Sequence, residues 1–311
     1  MTSTTPAEPP EWGGPPRFYP PHEPTRRADG SWHYSGLSYA MPVGYRPLQL
    51  DAWIPDVPVP PPLVVWIHGG AWLFGDRRYL PETLRPNQLF DESLAAGLAV
   101  ASVDYRHSRE ASFPAQLHDA KAAIRYLRAH SEELGLDTSR VGVWGESAGG
   151  HLAALVGLTD RRPDLEGDLG VVDPSSAVDA VVDWYGPSDL AAMQSKSPPP
   201  HIAATLPPEL LFPEDVLVEG VDDATRIAAS PVNLVSAAAP PFLLVHGTDD
   251  QVVPYAQSQQ LAAALEAMGA PVQLVPVEGA DHIFDGYPDV DSLVRLSVEF
   301  LAGVLRKEPN E

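Results

Sequence analysis

One serine sits in a sequence pattern typical of enzymes that form a covalent acyl intermediate. Ser147 lies within VGVWGESAGGHLAAL, residues 141–155, at the centre of a G-x-S-x-G motif. A strand-like apolar run precedes the motif and an alanine-rich, helix-like run follows it. A sharp strand-to-helix turn projects the hydroxyl above the sheet, and the flanking glycines remove Cβ atoms that would collide there. The pattern predicts Ser147 as an acyl-transfer nucleophile; the structural alternative is an N-capping serine in a glycine-rich turn.

A serine hydroxyl needs a base to take its proton, and the base needs a carboxylate to orient it. Among ten histidines, His282 in EGADHIFDG follows the last strand-like run and precedes the last helix. His246 ends an earlier strand, where we expect a buried, hydrogen-bonded role. The turn TDDQVVP offers both Asp249 and Asp250. Asp250 is favoured because a helix that would fix its loop follows and the Ser, Asp, His order is satisfied; Asp249 stays the alternative.

An acyl-transfer serine also needs hydrogen-bond donors for the oxyanion of its tetrahedral intermediate. The run WIHGGAW, residues 66–72, is a strand ending in glycines and has a suitable place and composition. We expect the N–H groups of Gly70 and Ala71 to join that of Ala148, the residue after the nucleophile. His68 is expected to orient this loop through hydrogen bonds rather than to transfer protons.

The elements that must position these residues alternate regularly along the chain. Short apolar runs bounded by turn residues predict strands over 48–54, 63–70, 98–105, 141–145, 180–186, 241–247 and 272–279. Helix-length patterns fall at 114–134, 148–158, 255–269 and 291–307. Continuously apolar strands separated by helices indicate an α/β fold with a mostly parallel central sheet and helices on both faces.

Two segments break this rhythm. Residues 1–35 are rich in proline and poor in aliphatic residues, which predicts an N-terminal arm laid over a catalytic domain of residues 36–311. A long proline-interrupted insertion at about 193–234 is expected to form a small cap over the carboxyl ends of the strands.

Composition excludes several classes of function. The formal net charge of −22 disfavours nucleic acid and anionic membrane surfaces as partners. The absence of cysteine excludes disulfides and thiolate metal sites. The N-terminus lacks the basic start and apolar stretch of a secretory signal, so a cytoplasmic protein is expected.

Together these residues resemble the α/β-hydrolase fold, and more narrowly the branch related to hormone-sensitive lipase and to BD-FAE feruloyl and acetylxylan esterases. The resemblance runs from about residue 36 onward and includes DYRHSREASFPAQLHDAKAAIRYL, residues 104–127, and ASPVNLVSAAAPPFLLVHGTDDQVVPYAQS, residues 229–258. It implies Asp250 as the acid, the third position after His-Gly, and oxyanion donors at Gly70, Ala71 and Ala148. The chain departs from the family where it reads G-G-A-W instead of G-G-G, and where Ile283 follows the histidine instead of the frequent glycine.

The resemblance and the motifs predict a serine carboxylesterase for short-chain or aryl esters, with no metal or organic cofactor. A small-molecule ester is the expected partner, and a homodimer pairing through the last helix is a further option. Trp72, Trp184 and Tyr185, together with the cap, are candidate pocket residues. The same machinery would serve an arylformamidase, another amide hydrolase or an acyltransferase, and a non-catalytic ligand receptor is the remote alternative.

Overall fold

The apolar runs of the sequence form one nine-stranded sheet. The computed structural model describes residues 16–160, 162–193 and 213–306. The strands lie in the order β1-β2-β3-β5-β4-β6-β7-β8-β9. Their bounds are β1 Thr25–Arg26, β2 Trp32–Ala40, β3 Leu48–Ile54, β4 Pro62–Ile67, β5 Ala99–Val103, β6 Asp137–Glu146, β7 Ala180–Trp184, β8 Phe242–Gly247 and β9 Val272–Val277.

The sheet is antiparallel at one edge and parallel through the rest of its width. Strands β1, β2 and β3 pair antiparallel, and β3 pairs antiparallel with β5. From β5 onward, all neighbouring strands are parallel. Ile67 at the end of β4 pairs with Gly145 of β6, so the loops that follow these central strands leave the sheet side by side.

Both faces of the parallel strands are buried because successive side chains point to opposite sides. On β4, Leu63, Val65 and Ile67 pack on one face, whereas Val64 and Trp66 pack on the other. The helices that cover the sheet and continue its loops are α1 Gln88–Ala95, α2 Ala115–Ala129, α3 Ser131–Leu134, α4 Ala148–Leu158, α5 Leu190–Met193, α6 Pro213–Leu217, α7 Asp223–Ala228, α8 Ala256–Ala267 and α9 Val290–Leu305. Helices α2, α4 and α8 cover the first face, and α1 and α9 cover the second. The prediction of an α/β fold with helices on both faces is confirmed.

The sheet begins before the predicted domain boundary at residue 35. Strand β2 starts at Trp32 and pairs along β3, so the second half of the predicted arm belongs to the sheet. Upstream, Phe18 packs edge-on against Tyr126 of α2, with ring centroids 6.1 Å apart. The Tyr126 hydroxyl donates to the Tyr19 carbonyl at 2.9 Å. The described part of the arm is therefore docked on the body.

Two further regions differ in detail from the sequence expectations. The helix predicted over 114–134 ends at Ala129, and the short α3 follows after His130. Helix α1 was not predicted. Within the predicted cap, residues 194–212 lie outside the described residues, and its remainder forms α6, α7 and a 3₁₀ turn at Pro231–Leu234. No helix in the described ranges has the length and apolar character needed to cross a bilayer.

Candidate active site

The predicted site residues lie on loops that leave the carboxyl ends of four parallel strands. The loop carrying Gly70 and Ala71 follows β4, and Ser147 follows β6 directly. Asp250 follows β8, and His282 follows β9. Parallel strands bring their carboxyl ends to the same edge, where open α/β sheets bind their ligands. Residues far apart in sequence thus meet at one edge of the sheet.

Ser147 occupies a strained turn between β6 and α4. Its φ of 52° and ψ of −120° lie outside the regions that non-glycine residues favour, and its N–H donates to the Trp184 carbonyl at 2.8 Å. A Cβ on Gly145 would overlap the Gly149 carbonyl, and one on Gly149 would overlap the Ile67 carbonyl. The glycines therefore allow α4 to start immediately at the end of its strand and against β4.

A continuous hydrogen-bonded line joins Ser147, His282 and Asp250. The Nε2 atom of His282 lies 3.1 Å from the Ser147 Oγ, and its Nδ1 lies 2.7 Å from the Asp250 Oδ2. The other oxygen of Asp250 accepts from the N–H groups of Val252 and Val253, both at 2.8 Å. The two carboxylate oxygens therefore have separate tasks, since one fixes the acid loop and the other faces the histidine.

The electrostatics of this line favour an ionised acid and a basic histidine. Burial alone would raise the pKa of Asp250, but the charge of His282 and hydrogen bonds from His246 and His282 hold it well below its usual range. Burial alone would lower the pKa of His282, but the Asp250 carboxylate outweighs it and raises that pKa. Asp250 therefore carries its negative charge at neutral pH and favours the protonated form of the histidine.

His246 is a second histidine in contact with the Asp250 carboxylate. It is fully buried, and its Nε2 lies 2.8 Å from the Val253 carbonyl and 3.3 Å from the Asp250 Oδ2. Because a carbonyl can only accept, Nε2 carries a proton, and Nδ1 lies 2.7 Å from the Ser258 hydroxyl. His246 thus has the buried, hydrogen-bonded position expected from the sequence.

The loop after β4 presents backbone N–H groups beside the serine. Gly70, Ala71 and Trp72 have successive positive φ values of 100°, 53° and 57°. Within the described part of the chain, the N–H groups of Gly70 and Ala71 donate to no other group. Ala148 is the first residue of α4, where an N–H has no intrahelical acceptor. These three donors are free to bind an anionic oxygen.

His68 lies behind this loop. It is fully buried, stacks on Tyr105 with ring centroids 4.4 Å apart, and bonds the Gly69 carbonyl through Nδ1 at 2.7 Å. Burial lowers the pKa of His68 to about 4. His68 is therefore a neutral imidazole near neutral pH, and its Nδ1–H holds the loop by donating to the Gly69 carbonyl.

The prediction that three aromatic residues line the pocket requires correction. Trp184 is fully buried on the other face of the sheet, where its indole N–H donates to Ser297 of α9 at 2.9 Å. Trp72 is 2% exposed and Tyr185 is fully buried. Tyr185 packs edge-on against His282, with ring centroids 4.9 Å apart. Trp184 is a core residue because its β7 position points away from the site, and the other two support the site from within.

Two supporting residues escaped the sequence analysis. Asp281 accepts from the N–H groups of His282 at 2.7 Å and Gln251 at 2.9 Å, and thereby ties the histidine loop to the acid loop. His151 of α4 accepts from the Trp72 indole at 3.2 Å and bonds the Ala229 carbonyl at 2.7 Å. No motif marks either residue, because each gains its role from a partner on another loop.

The turn that carries the histidine holds a bulky residue in a disfavoured conformation. Ile283 has a φ of 57°, which a β-branched side chain rarely adopts. The Thr83 hydroxyl donates to the Ile283 carbonyl at 2.6 Å. This contact from the segment after β4 helps to hold the turn in place.

Comparison with known proteins identifies a family and several related esterases. The BD-FAE family model matches residues 50–265. Esterase LipC of Mycobacterium tuberculosis is 34% identical over 249 residues, which cover 78% of this chain and 58% of LipC. The chain spans 54% and 65% of the length of two other curated mycobacterial relatives.

Two solved structures that superpose on this chain are those of esterases. A truncated carbohydrate esterase from gut microbiota superposes with a TM-score of 0.73 and 30% identity, covering 93% of this chain and all of the other. Thermogutta terrifontis esterase 2, solved with propionate bound, gives a TM-score of 0.68 and 29% identity over 88% of this chain and 96% of its own.

Proposed function

Since the chain belongs to the BD-FAE family of α/β-hydrolase esterases, we propose that it is a serine carboxylesterase acting on short-chain or aryl esters. Ser147 is the nucleophile, His282 the general base and acid, and Asp250 the carboxylate that orients His282. The observation that carries this proposal is the hydrogen-bonded line in which His282 Nε2 lies 3.1 Å from Ser147 Oγ and Nδ1 lies 2.7 Å from Asp250.

The reaction follows from the direction of these hydrogen bonds. Asp250 accepts from Nδ1–H, so the neutral imidazole presents the lone pair of Nε2 to the serine hydroxyl. His282 takes the hydroxyl proton as Ser147 attacks the ester carbonyl, and returns it to the leaving alcohol. Water then repeats the attack on the acyl-enzyme with His282 again as base, and the carboxylic acid is released.

The N–H groups of Gly70, Ala71 and Ala148 are the donors for the tetrahedral oxyanion. A removed donor in such a site costs roughly 2.7–4 kcal/mol of transition-state stabilisation. The N–H groups of these three residues have no acceptor among the described residues, so they are available to the oxyanion. This arrangement supports acyl transfer rather than passive ligand binding.

A small acyl group is the substrate feature we favour. Thermogutta terrifontis esterase 2 has been solved with propionate and with butyrate bound, and its fold covers 88% of this chain. Two assays run in parallel with simple esters separate the alternatives. Hydrolysis of formyl-anilides would indicate an amide hydrolase. Formation of a new ester with a competing alcohol would indicate an acyltransferase.

The test is hydrolysis of p-nitrophenyl esters from acetate to laurate by the native protein and by Ser147→Ala. We expect rapid turnover of the short chains and its loss in the variant. A phosphonate probe should add one adduct to the native protein, seen by intact mass, and none to Ser147→Ala.

Ser139→Ala is the matched control, because Ser139 is an exposed serine near the opposite end of the same strand, β6. It should retain both turnover and the adduct. A folded native protein with neither turnover nor adduct would refute the esterase proposal and favour the receptor alternative.

A further inference from the structure

A buried carboxyl that the mechanism above does not use lies directly beside the nucleophile. Glu146 is the last residue of β6 and is 1% exposed. Its Oε1 accepts from the N–H of Gly69, in the loop after β4, at 2.7 Å. A Cβ on Gly69 would overlap this carboxylate. The side chain of Glu146 is thus packed directly against the backbone that leads to Gly70 and Ala71.

The titratable groups around Glu146 come from four other segments. His282 from the histidine turn interacts with it by charge, and, in addition to burial, the Glu146 charge raises the pKa of the phenols of Tyr79, Tyr105 and Tyr185. Burial raises the pKa of all three tyrosines, so they are neutral near neutral pH. Of these four neighbours, His282 is therefore the one that can become a cation.

Two of the phenols contribute to the same corner. The Tyr105 hydroxyl donates to the carbonyls of His68 and Gly69, both at 3.1 Å. The Tyr185 hydroxyl lies beside Glu146 but meets hydrogen-bond geometry with no group among the described residues. Within the described part of the chain, the Tyr185 hydroxyl is therefore a buried donor without an acceptor, and the Glu146 carboxylate beside it can serve as that acceptor.

The protonation of Glu146 is coupled to that of His282. Burial raises the pKa of Glu146 to about 7, against the opposing influence of the His282 charge and the Gly69 hydrogen bond. Conversely, the Glu146 charge raises the pKa of His282, after the larger influence of Asp250. Each charge favours the other, so the proton that His282 takes from the serine also favours an ionised Glu146.

We propose that Glu146 is a positioning residue that joins the two halves of the machinery, anchoring the oxyanion loop through Gly69 and stabilising the imidazolium that forms on His282. This inference rests on the proposed esterase function. The transferred proton still moves only between Ser147 Oγ and His282 Nε2. Glu146 neither gives nor receives this proton. Its negative charge acts on His282 through space, as a second carboxylate beside that of Asp250.

The two tasks of Glu146 are separable by substitution. Glu146→Gln keeps the size and an oxygen that can accept from Gly69, but it removes the charge. Glu146→Ala removes both the charge and the anchor. Asp183→Asn is the matched control, because Asp183 lies on the neighbouring β7, is equally buried, and interacts with His246 rather than His282.

The decisive measurement is the pH dependence of kcat/KM for a short p-nitrophenyl ester. With Glu146→Gln, the acid limb should move to lower pH by about one unit, because His282 loses the carboxylate that raises its pKa. The plateau should fall about three- to tenfold, since the imidazolium is less stabilised in the transition state. Glu146→Ala should show the same shift and a further loss in kcat with little change in KM, because the oxyanion donors lose their anchor. Asp183→Asn should leave the acid limb in place.

A Glu146→Gln profile whose acid limb coincides with that of the native protein would overturn the inference, while inactive Ser147→Ala would still support the esterase. An active Ser147→Ala would instead refute the esterase function on which the inference depends. Should the Gln variant fail to fold, carbon-13 NMR of the Glu-labelled native protein tests the same coupling. The pKa of one glutamate carboxyl should rise when His282 is replaced by glutamine, because the imidazolium charge lowers it, and glutamate titrations that coincide in the two proteins would equally overturn the inference.

Discussion

Replacing Asp250 by asparagine probes the carboxylate with almost no change in shape. The amide oxygen can still accept from the N–H groups of Val252 and Val253, each now 2.8 Å from the Asp250 Oδ1. The amide nitrogen then takes the place of Oδ2, 2.7 Å from the Nδ1 of His282. A donor there stabilises the tautomer that accepts at Nδ1 and carries its proton on Nε2.

That tautomer places a proton where a base is needed. The Nε2 atom lies 3.1 Å from the Ser147 Oγ, and a protonated Nε2 cannot take the hydroxyl proton. The substitution also removes the charge that raises the pKa of His282. In a triad of this geometry the change lowers kcat by about 10⁴-fold, which corresponds to roughly 5.5 kcal/mol of activation free energy.

The assay is kcat and kcat/KM with a short p-nitrophenyl ester at a pH above the acid limb, together with the rate of phosphonate labelling. Asp249→Asn is the paired control, because Asp249 is the neighbouring carboxylate in the same turn and is exposed. It should keep near-native activity. If Asp250→Asn keeps more than about a tenth of native kcat, or if Asp249→Asn loses as much, the carboxylate has been assigned to the wrong residue.

Two further predictions concern buried polar contacts that hold the domain and its site. Glu166→Ala should lower the free energy of unfolding by about 3 kcal/mol in a denaturant titration, because it leaves the buried Lys121 and Arg125 of α2 without the carboxylate 2.9 and 2.6 Å away; an unchanged midpoint would contradict this. Burial alone would raise the pKa of Glu166, but the hydrogen bond and charge of Lys121 outweigh burial and lower it. The contribution of Glu166 to the free energy of unfolding is therefore complete above the pKa that Glu166 has in the unfolded chain. It is lost as the pH falls through the lower pKa that Glu166 has in the folded protein. Trp72→Phe should cost about 2 kcal/mol because it leaves the Nδ1 of His151 without its donor; equal stability of the two proteins by thermal unfolding would show that this bond contributes little.

The sequence predicts those parts of the fold whose signal is local. Buried parallel strands are continuously apolar, and β4 (Pro62–Ile67) and β8 (Phe242–Gly247) are recognisable for that reason. Strand β2, WHYSGLSYA, lies partly in a proline-rich segment whose composition suggests an arm. It forms a strand because its backbone hydrogen-bonds to the edge of β3. This pairing joins two separate segments of the chain, so the local composition of β2 does not predict it.

The same division holds for the candidate site. Ser147 is marked by a motif, and His282 and Asp250 by their positions after strands, so topology alone brings them together. Glu146 occupies a variable position of the G-x-S-x-G motif, so the motif assigns it no role. Its role becomes apparent only from the structure, in which its side chain accepts from the N–H of Gly69. The role of His151 likewise depends on Trp72, a residue 79 positions earlier. Contacts between loops decide such roles, and a sequence pattern does not contain them.

The strain in the oxyanion loop explains why it is surrounded by buried polar contacts. Ala71 and Trp72 both have positive φ values, and each such non-glycine residue costs of order 1–3 kcal/mol unless its surroundings hold it. One end of the loop is held at Gly69 by Glu146, and the other at Trp72 by His151. With both ends fixed, the loop cannot relax, and its N–H groups keep their direction without reorganising during the reaction. Loosening either end should therefore reduce kcat as well as the stability of the fold, since Trp72 is also part of the hydrophobic core.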